Sequence, residues 1–390
     1  MNIMQQPYFL NNGGNRKAKD GIMLWYANKN PYIASLTCTG DITIHSTYNG
    51  IANTETYSDL NNAAIAIKAD PNTEVYLDGK VTSITNSSSE DIIVCHNTSL
   101  NKIDYSKCEN LRKLNLSKNT ELTDVIYGSL SSLREVNVLG NTALTEFNCY
   151  YCENLIKLNL SGNTALTKFD FQNCLMLTEL NLSENTALTK LDCNSCQKLT
   201  ELNLSTNTAL TQLNCGYCRS LRKLNLSENT ALTILSCNYC SSITELNLST
   251  NTALTTLNCN NCKNLTELNL STNTALTKLD CSYCRGITEL NLSTNTRLTT
   301  LDCSGCSGIT ELNLSTNTRL TTLDCSGCYY VISIYAIAKV QNVANSIAGI
   351  IPSAFATNGT LYINSSDTYA STVISAATAK GWTVKDLPAA

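Results

Sequence analysis

Cysteine is the residue type with the greatest chemical capacity in this chain, and its spacing is regular. The 390 residues include 20 cysteines, and C-x-x-C pairs recur through the middle of the chain, from Cys149 and Cys152 to Cys325 and Cys328. Two such pairs can supply the four thiolates of a tetrahedral zinc site, and one pair can form a disulfide. Metal binding, disulfide formation and simple burial are therefore the three interpretations to compare.

The longer pattern around the cysteines favours burial. Residues 100–330 consist of 11-residue blocks of two alternating kinds, which we call first and second half-blocks, with positions 1–11 counted within each. Leu199–Ala209 is a first half-block and Leu276–Gly286 is a second half-block. Cysteine occupies positions 6 and 9 of the second kind, where the first kind carries Leu204 and Asn207. We predict buried thiols that pack as small apolar groups, with metal ligation and disulfides as alternatives.

The rest of the chemical inventory is sparse. The two histidines, His45 and His96, fall in predicted strand or cap segments without partner residues for nucleophilic or acid–base catalysis. The sequence contains no glycine-rich phosphate loop, nucleophile elbow or His-x-x-x-His pair. We therefore predict a protein that is not an enzyme, with no catalytic, cofactor-binding or metal-binding residues.

A 22-residue repeat must position all of these side chains. In one unit, Leu265, Leu268 and Leu270 alternate with Glu267 and Asn269, and the second half-block repeats the alternation. Such alternation is typical of a strand with one buried face. One block cannot bury its leucines alone, so successive units must stack as coils of a solenoid. With strands about 4.8 Å apart, ten coils form a body roughly 50 Å long.

The repeat resembles that of leucine-rich-repeat proteins. The pattern L-x-x-L-x-L-x-x-N-x-x-L is present as Leu265, Leu268, Leu270, Asn273 and Leu276, and the second half-block matches it again with cysteines. Both halves match, as in the nested 22-residue (11+11) repeats of gut bacteria and their phages. The resemblance implies a β-rich solenoid, a right-handed stack of coils, and says little about function.

Changes in pattern along the chain predict four segments. We expect an N-terminal attachment segment at 1–61, an N-terminal β cap at 62–99, the leucine-rich-repeat solenoid at 100–330 and a C-terminal α/β cap at 331–390. In the last segment, Ala336, Val340, Val343, Ile347 and Ile350 fit one helical face, and a second helix is predicted to end at Gly381.

Charge and hydropathy exclude some classes of protein. The net charge of −4 argues against nucleic-acid binding, which needs a basic surface. No apolar run approaches the roughly 18 residues of a membrane span. The first residues lack the charged-then-apolar order of a secretory signal, so we expect no export by the usual route.

The two kinds of half-block differ in their variability. The first kind is nearly uniform, with Asn at position 5 in every copy from Asn115 to Asn313, whereas positions 8 and 10 of the second kind vary. Tyrosine and arginine recur at these variable positions, and both are favoured at binding surfaces. The predicted binding face comprises Tyr151, Tyr217, Arg219, Tyr239, Tyr283 and Arg285. Neutral variation of loop residues around a packed core is the alternative.

These features favour a non-enzymatic interaction protein. Our leading hypothesis is a virion-associated protein (phage fibre, tail or capsid-decorating) made in the host cytoplasm. Its solenoid would bind a protein or glycan surface, and its N-terminal segment would attach to another structural protein. A bacterial cell-surface or effector adhesion protein and a purely structural spacer are the alternatives. Assembly as a homo-oligomer fits each of them.

Overall fold

The computed structural model describes most of the chain. The described residues are 21–26, 32–38, 41–49, 51–61, 63–66, 73–78, 81–86, 91–95, 99–106, 108–336, 338–353 and 359–387. His96 and the first twenty residues lie outside these ranges.

The described segments before the repeat form antiparallel β-structure. Its strands are β1 (Gly21–Tyr26), β2 (Tyr32–Cys38), β3 (Asp41–Tyr48), β4 (Ile51–Ser58), β5 (Ala63–Ala66), β6 (Thr73–Asp78), β7 (Val81–Asn86) and β8 (Asp91–Cys95). β8, β1, β6, β3 and β4 are neighbours in one sheet, and β7, β2 and β5 are neighbours in another. Strand pairing therefore crosses the predicted boundary between residues 61 and 62, and the division into an attachment segment and a cap stays a proposal.

The repeat forms short strands of three residues, and each strand pairs in parallel with a strand of a neighbouring coil. They are β9 (Lys102–Asp104), β10 (Lys113–Asn115), β11 (Asp124–Ile126), β12 (Glu135–Asn137), β13 (Glu146–Asn148), β14 (Lys157–Asn159), β15 (Lys168–Asp170), β16 (Lys190–Asp192), β17 (Glu201–Asn203), β18 (Gln212–Asn214), β19 (Lys223–Asn225), β20 (Ile234–Ser236), β21 (Thr256–Asn258), β22 (Lys278–Asp280), β23 (Thr300–Asp302), β24 (Glu311–Asn313) and β25 (Thr322–Asp324). Residues paired across neighbouring strands are 22 positions apart, as Leu257 and Leu279 are. The protein is therefore a β-solenoid with one 22-residue unit per coil.

The two sides of the solenoid differ in the continuity of their sheets. Strands of the second half-blocks form one parallel nine-stranded sheet from β13 to β25. On the side formed by the first half-blocks, which we call the first side, β10, β12 and β14 continue the N-terminal sheet. Further along this side, only β17, β19 and β24 are paired with a neighbouring strand. The prediction of strands on both sides is thus right for the second half-blocks and only partly right for the first.

The backbone at position 8 also differs between the two sides. Most described residues at position 8 of the second half-blocks have a positive φ, as Tyr217 does at 57°. In this conformation the N–H groups of positions 6 and 8 donate to the next coil, as Cys215 does to Ser236 O (2.8 Å) and Tyr217 to Asn238 O (2.7 Å). First half-blocks keep a positive φ only where position 8 is Lys118, Gly140 or Gly162.

Later first half-blocks carry Glu or Thr at position 8, and none of these residues has a positive φ. A β-branched residue such as Thr206 is disfavoured in the left-handed region. As in most second half-blocks, the turn closes within its own coil, where Asn207 N–H donates to Leu204 O (3.0 Å). Among these described first half-blocks, a position-6 N–H donates to the next coil only at Leu314, to Tyr335 O (3.0 Å).

The core of the solenoid consists of columns of buried leucines, one above another in successive coils. Leu276 and Leu279 have exposed fractions of 0% and 1%, and the equivalent positions repeat this burial from coil to coil. Each buried leucine contributes roughly 1.5–3 kcal/mol, so a coil that buries several of them can offset the loss of backbone entropy.

The C-terminal elements replace the last coils. They are β26 (Ser333–Ala336), α1 (Gln341–Ser353), β27 (Thr360–Ile363), α2 (Ala370–Lys380) and β28 (Thr383–Lys385). β26, β27 and β28 continue the parallel ladder from β24, while α1 packs over β25. The predicted end of the second helix is confirmed, because Gly381 lies in the left-handed region with φ 84°.

Two sequence-based expectations for the flanking regions are wrong in detail. Ala336 lies in β26 and not on the helix, which begins only at Gln341 and includes Pro352 in its last turn. The reason is that residues 333–336 occupy the strand position 22 residues after Glu311–Asn313. The long edge strand β4 was also not expected from the pattern.

Candidate binding surface

The position-9 cysteines form a ladder that holds successive coils together. Cys240 Sγ lies 3.0 Å from Cys215 O and Cys218 Sγ lies 3.1 Å from Cys193 O, each in the preceding coil. The asparagines at position 9 of the first half-blocks make the same contact, as Asn229 Nδ2 does with Leu204 O (3.1 Å). The thiol therefore acts as a hydrogen-bond donor where the other side of the coil uses an amide.

A thiol suits position 9 because, unlike an asparagine side chain, it has no strong hydrogen-bond acceptor that would have to be buried. The Oδ1 atoms of Asn185 through Asn317 in the ladder are buried and have no hydrogen-bond partner among the described residues. An unpaired buried carbonyl is destabilising, whereas sulfur is only a weak acceptor.

Burial also makes these thiols poor nucleophiles. The cysteines whose side chains the structure describes are buried and unbridged. Burial raises the pKa of the Cys149 thiol well above its usual range and raises the pKa of Cys152 to about 12. Hydrogen bonding to Cys237 and Cys281 instead lowers the pKa of Cys262 and Cys306, but these two thiols are buried as well. Since a reactive or metal-binding thiolate must be accessible, the columns have a structural role. Within the described ranges, no group of three or more His, Cys, Asp or Glu side chains is arranged to hold a metal ion.

The turn at position 8 displays the tyrosines of the predicted binding face. Tyr151, Tyr217, Tyr239 and Tyr283 all have φ values between 56° and 58°. Tyrosine is uncommon in this region, and the main-chain ladder around the turn holds it there. At position 5 an Asn or Asp shapes the turn, because its Oδ1 accepts the N–H of position 7, as Asn214 does for Gly216 (3.2 Å).

The structure brings part of the predicted face together. The rings of Tyr217 and Tyr239 stack with their centroids 4.4 Å apart and an interplanar angle of 8°. The Tyr283 ring lies over the next coil, where a Cβ on Gly305 would be 2.7 Å from Tyr283 Cδ1. Arg219 and Arg285 are exposed two residues after Tyr217 and Tyr283.

Tyr151 lies apart from this group. Asn173 and Ser195 occupy position 8 of the two coils between Tyr151 and Tyr217. Tyr151 instead contacts Tyr150 edge to face (centroids 5.7 Å apart), and Tyr150 contacts Tyr127 in the same way (5.7 Å). The predicted six residues therefore form two groups on one edge of the solenoid.

The aromatic group at Tyr127 lies where the second-side sheet is divided. β11 pairs with β9 but not with β13. Its half-block has Ile126 at position 5, so the turn lacks the side-chain acceptor that Asn or Asp supplies in most other coils. It also has Leu130 at position 9, where most other coils have a cysteine donor. Sequence reasoning missed Tyr127 and Tyr150 as surface residues, although the break in the pattern at these positions was a signal.

Charged side chains on the first side form ion pairs with the equivalent residue of the neighbouring coil. Lys223 Nζ lies 2.8 Å from Glu201 Oε1 and Lys157 Nζ lies 3.4 Å from Glu135 Oε1, both pairs 22 residues apart and well exposed. Further along, Glu245, Glu267 and Glu289 follow one another in exposed positions. Exposed pairs contribute about 0–1 kcal/mol each, so these columns affect solubility more than stability.

No helix among the described residues is long and apolar enough to cross a bilayer. A scan against protein-family models finds no match for the chain, and a search of curated proteins finds none.

Two solved structures are similar to the chain. One is the functional domain of InlJ from Listeria monocytogenes, described as including a cysteine ladder, with 27% sequence identity over 73% of this chain and 74% of that chain, at a TM-score of 0.47. The other is an internalin (inlF) from Listeria monocytogenes, with 17% identity over 77% of this chain and 87% of that chain, at a TM-score of 0.44. By its own structure the chain is a β-solenoid with a 22-residue period, and these two structural neighbours are internalins.

Proposed function

We propose that this protein is a non-enzymatic interaction protein that binds a macromolecular partner through the binding face. The supporting observation is the contrast between the two sides of each coil. One side repeats nearly the same residues, and the other displays different side chains on a turn of constant backbone geometry.

The geometry suits recognition because the displayed side chains are already ordered. The position-8 N–H groups are tied to the next coil, as Tyr239 N–H is to Asn260 O (2.7 Å). Stacking of Tyr217 on Tyr239 further restricts both rings. A partner that contacts these rings loses less conformational entropy on binding than one that must order a mobile loop.

The double substitution Tyr217→Ala and Tyr239→Ala tests the binding face. We expect binding of the labelled protein to target cells to weaken about tenfold or more, because aromatic anchors dominate such contacts and these two half-buried rings are still partly accessible. The matched control is Thr206→Ala with Glu228→Ala, which changes position 8 of the two preceding first half-blocks. Circular dichroism should show that both variants remain folded.

Equal binding by the tyrosine variant and the wild type would remove the binding face from the proposal. Loss of binding in the control variant alone would move the contact to the first side of the solenoid.

The finer setting that we propose is a virion. Buried, unbridged thiols suit a protein assembled in a reducing cytoplasm. In this proposal the segment 1–61 attaches the chain to another structural protein, and the solenoid faces outward toward a protein or glycan surface. A bacterial cell-surface or effector adhesion protein with the same binding face is the second candidate, and a structural spacer is the third.

Mass spectrometry of purified virions separates these settings. Detection of the chain in particles supports the virion proposal, whereas its presence only on bacterial surfaces or in culture medium supports the adhesion protein. A spacer predicts that the tyrosine substitutions change no binding at all. Sedimentation of the purified chain shows whether it forms a homo-oligomer.

A further inference from the structure

Four exposed cations lie in a row along the turns of the second half-blocks. They occupy position 10 or 11 and are Lys198, Arg219, Lys263 and Arg285. Their coils are joined by consecutive pairing of β16, β18, β20, β21 and β22. At about 4.8 Å per coil the row is about 20 Å long. None of the four forms an ion pair with another described residue, whereas Lys157, Lys168 and Lys223 each have a glutamate partner.

The turns that carry the row contain no acidic residue at positions 7–11. Positions 7–11 of the second half-blocks between residues 188 and 308 include no Asp or Glu, although the whole chain has a net charge of −4. The aspartates that precede two of these turns accept hydrogen bonds from them. Asp192 Oδ1 accepts from Asn194 N–H (3.0 Å) and Asp280 Oδ1 from Ser282 N–H (3.0 Å). Exposed cations without an ion-pair partner among the described residues produce a local positive potential that attracts an anionic partner.

The surface around the row is polar and aromatic. The same turn positions include no aliphatic side chain between residues 188 and 308. Tyr217, Tyr239 and Tyr283 supply the rings, and the side-chain amides of Asn194 and Asn238 meet over Gly216. The fully buried centre of a protein–protein interface is usually more apolar than this edge, although tyrosine and arginine are common there too. Aromatic rings, side-chain amides and guanidinium groups along one edge of the solenoid are suited to contact a hydrated polymer that carries anionic groups.

We propose that this row binds an acidic polysaccharide. Arg219 and Arg285 would contact its carboxylate or sulfate groups by charge-assisted hydrogen bonds. The tyrosine rings would lie against the C–H faces of its sugars, and the phenol groups would bond to its hydroxyls. This inference rests on the proposed function and specifies the chemical class of the partner.

Binding of the full chain to three polysaccharides tests the inference. The probes are polygalacturonate for carboxylate groups, heparin for sulfate groups and dextran as the neutral polymer. Isothermal titration calorimetry at low salt should show binding to at least one anionic polymer and none to dextran. Raising the salt concentration should weaken binding, since the contacts are screened.

The variant Arg219→Ala with Arg285→Ala should lose about tenfold or more in affinity for the anionic polymer. Arg297→Ala with Arg319→Ala is the matched control, because it removes two exposed arginines from the opposite corner of the coils. The control should bind like the wild type.

Binding to neither anionic polymer, equal loss in both variants, or stronger binding to double-stranded DNA or to an acidic protein would overturn the inference. The proposed function fails separately. It fails if Tyr217→Ala with Tyr239→Ala leaves cell binding unchanged, whereas loss of cell binding without polysaccharide binding would overturn only the chemical class of the partner.

Discussion

At the scale of single residues, the two ladders use different side chains for the same main-chain contact. Cys240 donates one hydrogen bond to the preceding coil. Asn229 donates two, to Leu204 O (3.1 Å) and Asn207 O (2.8 Å). The number of hydrogen bonds lost therefore differs when each residue is removed.

Alanine at these two positions should show that difference. We expect Cys240→Ala to lower the free energy of unfolding by about 1–2 kcal/mol, from one lost hydrogen bond and a small cavity. Asn229→Ala should cost more, about 2–4 kcal/mol, because two hydrogen bonds and more side-chain volume are lost, although Leu204 O and Asn207 O still accept the N–H groups of Asn207 and Leu210. Urea denaturation followed by circular dichroism measures both, and a larger loss for Cys240→Ala would contradict the assignment of the ladders.

At the scale of elements, the turn at position 8 of the second half-blocks joins each coil to the next through main-chain hydrogen bonds, as Tyr283 N–H does with Ser304 O (2.7 Å). Gly305 lies in the left-handed region with φ 68° and lies beneath the Tyr283 ring. A side chain here would be strained by the backbone and would also displace the ring.

Gly305→Val should therefore destabilise the protein by about 1–3 kcal/mol. Gly349→Ala is the contrasting substitution, since Gly349 lies within α1 with nothing within 4 Å of an added Cβ. Alanine there should stabilise by about 0.5–1 kcal/mol. Thermal unfolding of both variants provides the test, and an unchanged melting temperature for Gly305→Val would show that the turn tolerates a branched residue.

The repeat pattern predicted the elements of the solenoid because burial of Leu268, Leu270 and Leu276 is periodic and local. The difference in sheet continuity between the two sides could not be predicted in the same way. In the sequence, the difference between Gly162 and Thr206 at position 8 resembles ordinary variation in a loop. The left-handed backbone of Tyr217 and Tyr239 contradicts the intrinsic preference of tyrosine and depends on the neighbouring coils. The contact of Tyr127 with Tyr150 depends on the break between β11 and β13, which only the three-dimensional structure shows.

At the scale of the whole molecule, the cysteine columns link stability to pH. Burial raises the pKa of Cys149, Cys152 and Cys325 above the value of 9.0 expected in an unfolded chain. A raised thiol pKa means that the folded protein keeps its protons when the unfolded chain has lost them. The stabilising contribution is therefore complete below pH 9 and is lost as the pH rises toward the folded values.

We expect the free energy of unfolding to be flat between pH 7 and about 8.5 and to fall steeply above pH 9. Each thiol that ionises only in the unfolded chain lowers it by about 1.4 kcal/mol per pH unit. Denaturation curves at closely spaced pH values measure the slope. A slope that stays near zero up to pH 10.5 would show that the buried thiols do not govern the response.

The left-handed turn has a consequence for how such a protein can change over time. Its hydrogen bonds involve backbone groups and the position-5 side chain, as in Gly216 with Asn214, and the side chains at positions 8 and 10 take little part in them. Substitutions at position 10, and at position 8 among residues that accept a positive φ, can therefore accumulate one coil at a time while folding is maintained. The same scaffold could acquire a new specificity by selection along a single edge, much as an antibody does in its loops.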